Sequence, residues 1–131
     1  MSSLDTNVVI RLIVGDHVGQ ARAAEKLVAD RSCRIAASVL MECEWVLRAS
    51  YGLAAQTIAA AFRGLLELEN IEAAEPALVL RTLAAYEAGV DFADALHAFQ
   101  RMAGEEFATF DKTLARRAAK AGLRDVLLLK A

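Results

Sequence analysis

The chain is poor in the residues that staple, break or charge a protein. Its 131 positions hold two cysteines, one proline and two histidines, and only 6% are aromatic. Two thiols, Cys33 and Cys43, are too few for a disulfide framework. They also lack the spacing of a zinc site. In a reducing compartment they read as small buried hydrophobes. A lone proline, Pro76, leaves no proline-rich linker, and no repeat or low-complexity run divides the sequence, so residues 1–131 are expected to form a single domain. No stretch approaches the roughly 18–20 uncharged apolar residues that span a bilayer. The amino terminus lacks a basic region followed by an apolar run, so a cytoplasmic protein with no membrane partner is expected. A positive excess is missing too. The formal net charge is −2, which excludes a basic nucleic-acid coat and leaves any nucleic-acid contact to a local patch.

What remains is 56% hydrophobic and 24% charged, the composition of a folded chain. Much of the apolar content is alanine, which favours helix. Mean hydropathy is +0.34. Such a surplus suits a dimer face or a partner groove, or else a dense helical core. Short strands are expected at Ser2–Asp5, Arg34–Ala36, Ile71–Ala73, Phe107–Phe110 (buried) and Val126–Leu129. Helices are expected over Val8–Val14, Gln20–Asp30, from a Ser38 cap to near Gly52, Ala54–Leu68, from Glu75 and Pro76 to Ala88, from an Asp91 cap to Met102, and Lys112–Ala121. Alternation with short connections predicts an α/β fold with a mainly parallel sheet.

Four acids occupy comparable places. Asp5 follows the first strand and Asp111 follows Phe107–Phe110, so both fall at the carboxyl edge where open α/β sheets bind ligands. Asp94 lies in the first turn after Asp91, and Glu42 lies one turn into its helix. Each also has an ordinary structural reading. Asp5 and Asp111 can cap helices, Asp91 and Asp94 can answer a helix dipole, and Glu42 can be a solvated face residue. Glu42 stands among Val39, Leu40, Met41, Cys43, Trp45, Val46 and Leu47, where an unpaired carboxylate is costly. Glu44 shares that company but points roughly 200° away, so only one of the two can face a site while the other meets solvent.

Leu4-Asp5-Thr6-Asn7-Val8, Val39 to Leu47 around Glu42, Asp91-Phe92-Ala93-Asp94-Ala95-Leu96 and Thr109-Phe110-Asp111-Lys112 together resemble the motifs of PIN-domain ribonucleases, and within them VapC-type toxins of bacterial toxin–antitoxin pairs. The resemblance spans residues 4 to 112 in the family's order. Cys43 departs from it, standing where the family usually has leucine. The resemblance implies a three-layer sandwich with a central mainly parallel sheet flanked by helices. It also implies a metal-dependent endoribonuclease leaving 5′-phosphate and 3′-hydroxyl ends, with Asp5, Glu42, Asp94 and Asp111 as the catalytic acids.

Four ionised carboxylates carry about −4 and repel a phosphodiester. One divalent cation leaves about −2, and two leave about zero. All-oxygen donors suit Mg²⁺ or Mn²⁺. Asp5 and Asp94 are assigned as direct metal ligands, and Glu42 and Asp111 as ligands directly or through water. Thr6, Asn7, Ser38 and Thr109 are candidates to orient these carboxylates or touch phosphate, with helix capping the alternative for Thr6 and Ser38. Lys112, Arg116 and Lys120 share one helix face after Asp111 and form a candidate RNA-binding ridge, which Arg11 can join. The plain alternative is a solvated face. His97 is expected to be a partly buried packing residue, and His17 carries no signal. Trp45 suits a partner groove, the core or a dimer interface. The implied partners are RNA, a small VapB-like antitoxin and a second copy of the chain. Competing readings are an inactive interaction module of the same fold and a Mg²⁺-dependent phosphotransfer domain. The latter needs a second aspartate where Asn7 stands.

Overall fold

Ser2–Ser3 (β1), Cys33–Ile35 (β2) and Ile71–Ala73 (β3) lie side by side in the computed structural model, which describes all 131 residues. The order is β1-β2-β3 and both pairings are parallel, with Ser2 opposite Cys33 and Cys33 opposite Ile71. The pleat sends Cys33 and Ile35 into the interior and Arg34 out, where it meets Glu72 on β3 at 2.9 Å. Both partners of that ion pair are about half exposed, so it fixes little. Parallel neighbours need long crossovers. Here these are Thr6–Val14 (α1) with Val18–Asp30 (α2), then Ala37–Ala49 (α3) with Ala55–Leu66 (α4). Ile35, Leu40, Leu47, Ile58 and Phe62 are fully buried. Gly15 ends α1 in the left-handed region (φ 67°), returning its N–H to the Arg11 carbonyl.

These elements form one compact unit, Met1–Pro76; Ala77–Ala131 forms the other. The second holds Pro76–Glu87 (α5, from its second residue), Phe92–Gln100 (α6), Phe107–Thr109 (β4), Lys112–Lys120 (α7) and Val126–Leu128 (β5). β4 and β5 pair in parallel. Ala85, Val90, Ala95 and Leu114 make one buried cluster, and Ala98, Ala118 and Leu123 another. Phe99 and Phe107 pack against both. The α/β class, the parallel pairing and the flanking helices agree with the expectation from sequence. No helix is long and apolar enough to cross a membrane.

Several boundaries differ for local reasons. α1 starts at Thr6 and not Val8, because Asp5 takes the extended N-cap conformation and Thr6 is buried in the first turn. α2 starts at Val18, and His17 caps it: its Nδ1 accepts from the Gln20 N–H at 3.1 Å. Ser38 is not a cap, since Ala36 holds that position and Ser38 sits exposed in the first turn of α3. β4 is not a buried strand. Phe107 and Thr109 are half-buried, Ala108 is exposed, and Phe110 lies beyond the strand at 66% exposure.

Candidate active site

β1 and β2 run the same way, and each feeds a helix at its carboxyl end: β1 through Leu4 and Asp5 into α1, β2 through Ala36 into α3. Asp5 and Glu42 therefore start from the same sheet edge. The Cys43 Sγ lies 3.7 Å from the Thr6 carbonyl oxygen, which ties the first turn of α1 to α3. Burial pushes the Cys43 thiol up to about 12, and the negative charges of Glu42 and Asp5 add to that push. Both carboxylates thus act on one point. Asp5 holds the N-cap position of α1 without a side-chain capping bond, so its carboxylate is not committed to the helix.

The two glutamates of α3 take different surroundings, as helix rotation requires, but not the ones expected. Glu42 is exposed. Glu44 is buried, at 3% exposure, and accepts from Arg48 Nε at 2.8 Å. Leu40, Cys43 and Leu47, among the apolar sequence neighbours of Glu42, lie on the buried side of the helix. The carboxylate that needed a partner is Glu44, and Arg48 is one that it has.

In the second unit α6 and α7 bring the other two acids together. Ala95, next to Asp94, and Leu114, one turn into α7, share a buried cluster. Asp91 caps α6, its Oδ1 accepting from the Asp94 N–H at 3.0 Å. Asp111 caps α7, its Oδ1 accepting from the Leu114 N–H at 3.0 Å. The Thr109 hydroxyl accepts from the Asp111 N–H at 3.0 Å and fixes the entry to that cap. The Asp94 carboxyl is held above the usual aspartate range. Burial is the main cause, Asp91 and Asp111 add repulsion, and His97 partly offsets it. His97 is exposed, not the packing residue expected.

The remaining sequence candidates divide. Thr6 is buried, while Asn7 is exposed. Lys112, Arg116 and Lys120 are all exposed on α7, opposite the buried Leu114 and Ala118, so the ridge exists as a surface feature. Arg11 is elsewhere engaged: Nη1 meets Asp16 at 3.0 Å and Tyr51 at 3.3 Å, and Nε donates to Gln20 at 2.8 Å. That network is what the sequence reading of Arg11 missed. Trp45 is 58% exposed and so is not core. Cys33 and Cys43 are buried, as expected.

A family model for the PIN domain matches residues 3–120. The chain belongs to the PIN-domain family. This is a nuclease fold, and its members typically work with divalent metal ions. The match runs through both units and includes all four motif acids. Comparisons with curated proteins and with solved structures each gave no match.

The donors of this PIN domain suit a hard divalent cation. Asp5 is free of capping duty, and Asp94 sits where burial, and after it neighbouring negative charge, makes its ionised form unfavourable without a counter-charge. Neither thiol is offered: both are buried, and the field at Cys43 opposes a thiolate. Neither unit by itself gathers three or more histidine, cysteine or carboxylate side chains tightly enough to hold an ion; each holds motif acids as a pair.

Proposed function

We propose that this PIN domain is a divalent-metal-dependent endoribonuclease whose chemistry rests on Asp5, Glu42, Asp94 and Asp111. The observation that carries the reading is that the motif acids are gathered in pairs, Asp5 with Glu42 and Asp94 with Asp111, in a chain of a nuclease family. Asp5 and Asp94 would hold Mg²⁺ or Mn²⁺ directly. Glu42 and Asp111 would hold it directly or through water, with one Asp111 oxygen retained by α7. A bound ion would supply a water of lowered pKa and neutralise charge on the scissile phosphate. The chain's own contribution is to aim the carboxylates, through Thr109 and the Asp91 cap among others, and to offer a carboxylate oxygen for the proton of the attacking water. Lys112, Arg116 and Lys120 would hold RNA backbone.

The reading extends to a toxin neutralised by a small VapB-like antitoxin and acting as a homodimer. An open, largely apolar groove between α1 and α2, about 330 Å³ and lined by Val8, Ala23, Ala24 and Leu27 with Arg11 and Gln20, supports a peptide partner. Exposed Val18, Leu68, Leu80 and Met102 leave apolar surface for self-association. The test is cleavage of single-stranded RNA by the purified chain in Mg²⁺ or Mn²⁺. Activity should vanish with EDTA and in Asp5→Asn and Asp94→Asn. Undiminished cleavage by either variant, or none by the wild type with either metal, would overturn the enzyme reading. Harmless expression in growing cells would count against the toxin.

A further inference from the structure

The chain has eight aromatic side chains, one tryptophan, two tyrosines and five phenylalanines. Two of them are exposed, Trp45 at 58% and Phe110 at 66%; the other six are buried or half-buried. Each exposed ring stands beside a motif acid within its own unit. Trp45 follows Glu42 by three residues on α3, which places it roughly 60° round the helix and roughly 4.5 Å along it. The buried residues of that helix, Ala37, Leu40, Cys43, Glu44 and Leu47, define one side. Ser38, Glu42 and Trp45 lie on the opposite side, so ring and carboxylate share the solvent stripe. Phe110 directly precedes Asp111, between the end of β4 and the cap of α7.

Leaving a large ring in water forgoes the stabilisation of burying it, on the order of 2–3 kcal/mol for a fully buried side chain. A packing role does not account for rings placed outside the core. Unpaired nucleobases present flat apolar faces that stack on such rings, and stacking needs no particular base. A strand whose phosphate lies at the acids would carry its neighbouring bases close by. We propose that Trp45 and Phe110 are base-stacking residues, each seating single-stranded RNA beside the motif acids of its own unit. This deepens the ribonuclease reading and rests on it.

Trp45 is the only tryptophan, so its fluorescence reports on that ring alone. The full chain, carrying Asp94→Asn to prevent cleavage, is titrated in Mg²⁺ with a mixed-sequence RNA decamer, its duplex, and inorganic polyphosphate. The expected result is quenching by the single strand and much less by duplex or polyphosphate. In labelled-RNA binding, Trp45→Ala and Phe110→Ala should each weaken affinity on the order of fivefold to a hundredfold, with Trp45→Phe close to wild type. In the cleaving chain the loss should fall on KM more than kcat. Equal quenching by polyphosphate, or unchanged affinity in both alanine variants, overturns the proposal while leaving the ribonuclease intact if RNA is still cut. A Trp45→Ala chain that changes from dimer to monomer yet binds RNA normally assigns that ring to a protein interface and also overturns it. A wild-type chain that neither binds nor cuts RNA sinks both readings.

Discussion

Asp94 is stabilised in its protonated form by the fold, and that sets a conflict between stability and activity. Burial and the nearby Asp91 and Asp111 raise its pKa, so the folded chain holds that proton more tightly than the unfolded chain does. The stability tied to it is fully present below the ordinary aspartate range and is lost as pH rises through the raised value. At neutral pH the ionised carboxylate therefore weakens the fold. Asp94→Asn should raise the melting temperature at pH 7, and the gain should close as pH falls below the aspartate range. The same variant should lose cleavage and most of the thermal stabilisation that added Mg²⁺ gives the wild type. Melting curves over pH, with and without Mg²⁺, check the three stability outcomes, and an RNA assay checks the fourth; an Asp94→Asn protein that melts lower at pH 7 contradicts the argument. Glu42 and Glu44 give a second contrast. Glu42→Gln should abolish activity with a stability change within about 0.5 kcal/mol, as expected at an exposed site. Glu44→Gln should cost about 1–2 kcal/mol, because a buried charge-assisted contact with Arg48 is weakened. Denaturant titration beside an RNA assay separates the two.

At the scale of elements, α7 carries two duties in one residue. Asp111 caps the helix and is also a motif acid. Asparagine caps as well as aspartate but brings no charge, so Asp111→Asn should keep stability and lose activity. Asp111→Ala should lose activity and about 1 kcal/mol of stability as well. Equal stability in both variants would show that the cap contributes nothing. The ridge on the same helix is tested by replacing Lys112, Arg116 and Lys120 with glutamine. RNA binding should weaken, and its salt dependence should flatten by a slope of about 2 if all three touch phosphate. These elements were legible in the sequence where a local signal fixed them. Ile71–Ala73 is a strand as expected, Asp91 caps α6, and Pro76 opens α5. Legibility failed where sequence neighbours are not spatial neighbours. Glu42 stands among apolar residues in the sequence, yet helix rotation turns Leu40, Cys43 and Leu47 inward and Glu42 outward. The ties of Arg11 to Tyr51 and of Glu44 to its burial likewise depend on how helices pack, which no local pattern encodes. His17 is a capping residue whose type is not among the strong N-cap signals, so nothing marked it.

Across the whole molecule the charge ledger is close to balance, with 17 acidic and 15 basic side chains giving −2. The four motif acids decide its sign. Replacing Asp5, Asp94 and Asp111 with asparagine and Glu42 with glutamine moves the formal charge from −2 to +2. If these acids face the RNA, they are the main electrostatic barrier to it when no metal is bound, and a cation serves to remove that barrier. The quadruple-amide chain should then bind single-stranded RNA in EDTA more tightly than the wild type. Mg²⁺ should strengthen binding by the wild type and do little for the variant. The difference in EDTA should shrink as salt rises, because screening acts on the same long-range repulsion. Anisotropy of a labelled oligonucleotide, measured in EDTA and in Mg²⁺ at two salt concentrations, reads all of this without any cleavage step. Identical affinities for the two chains in EDTA would mean that the RNA does not approach the acids, and the site would have to be sought elsewhere on the surface.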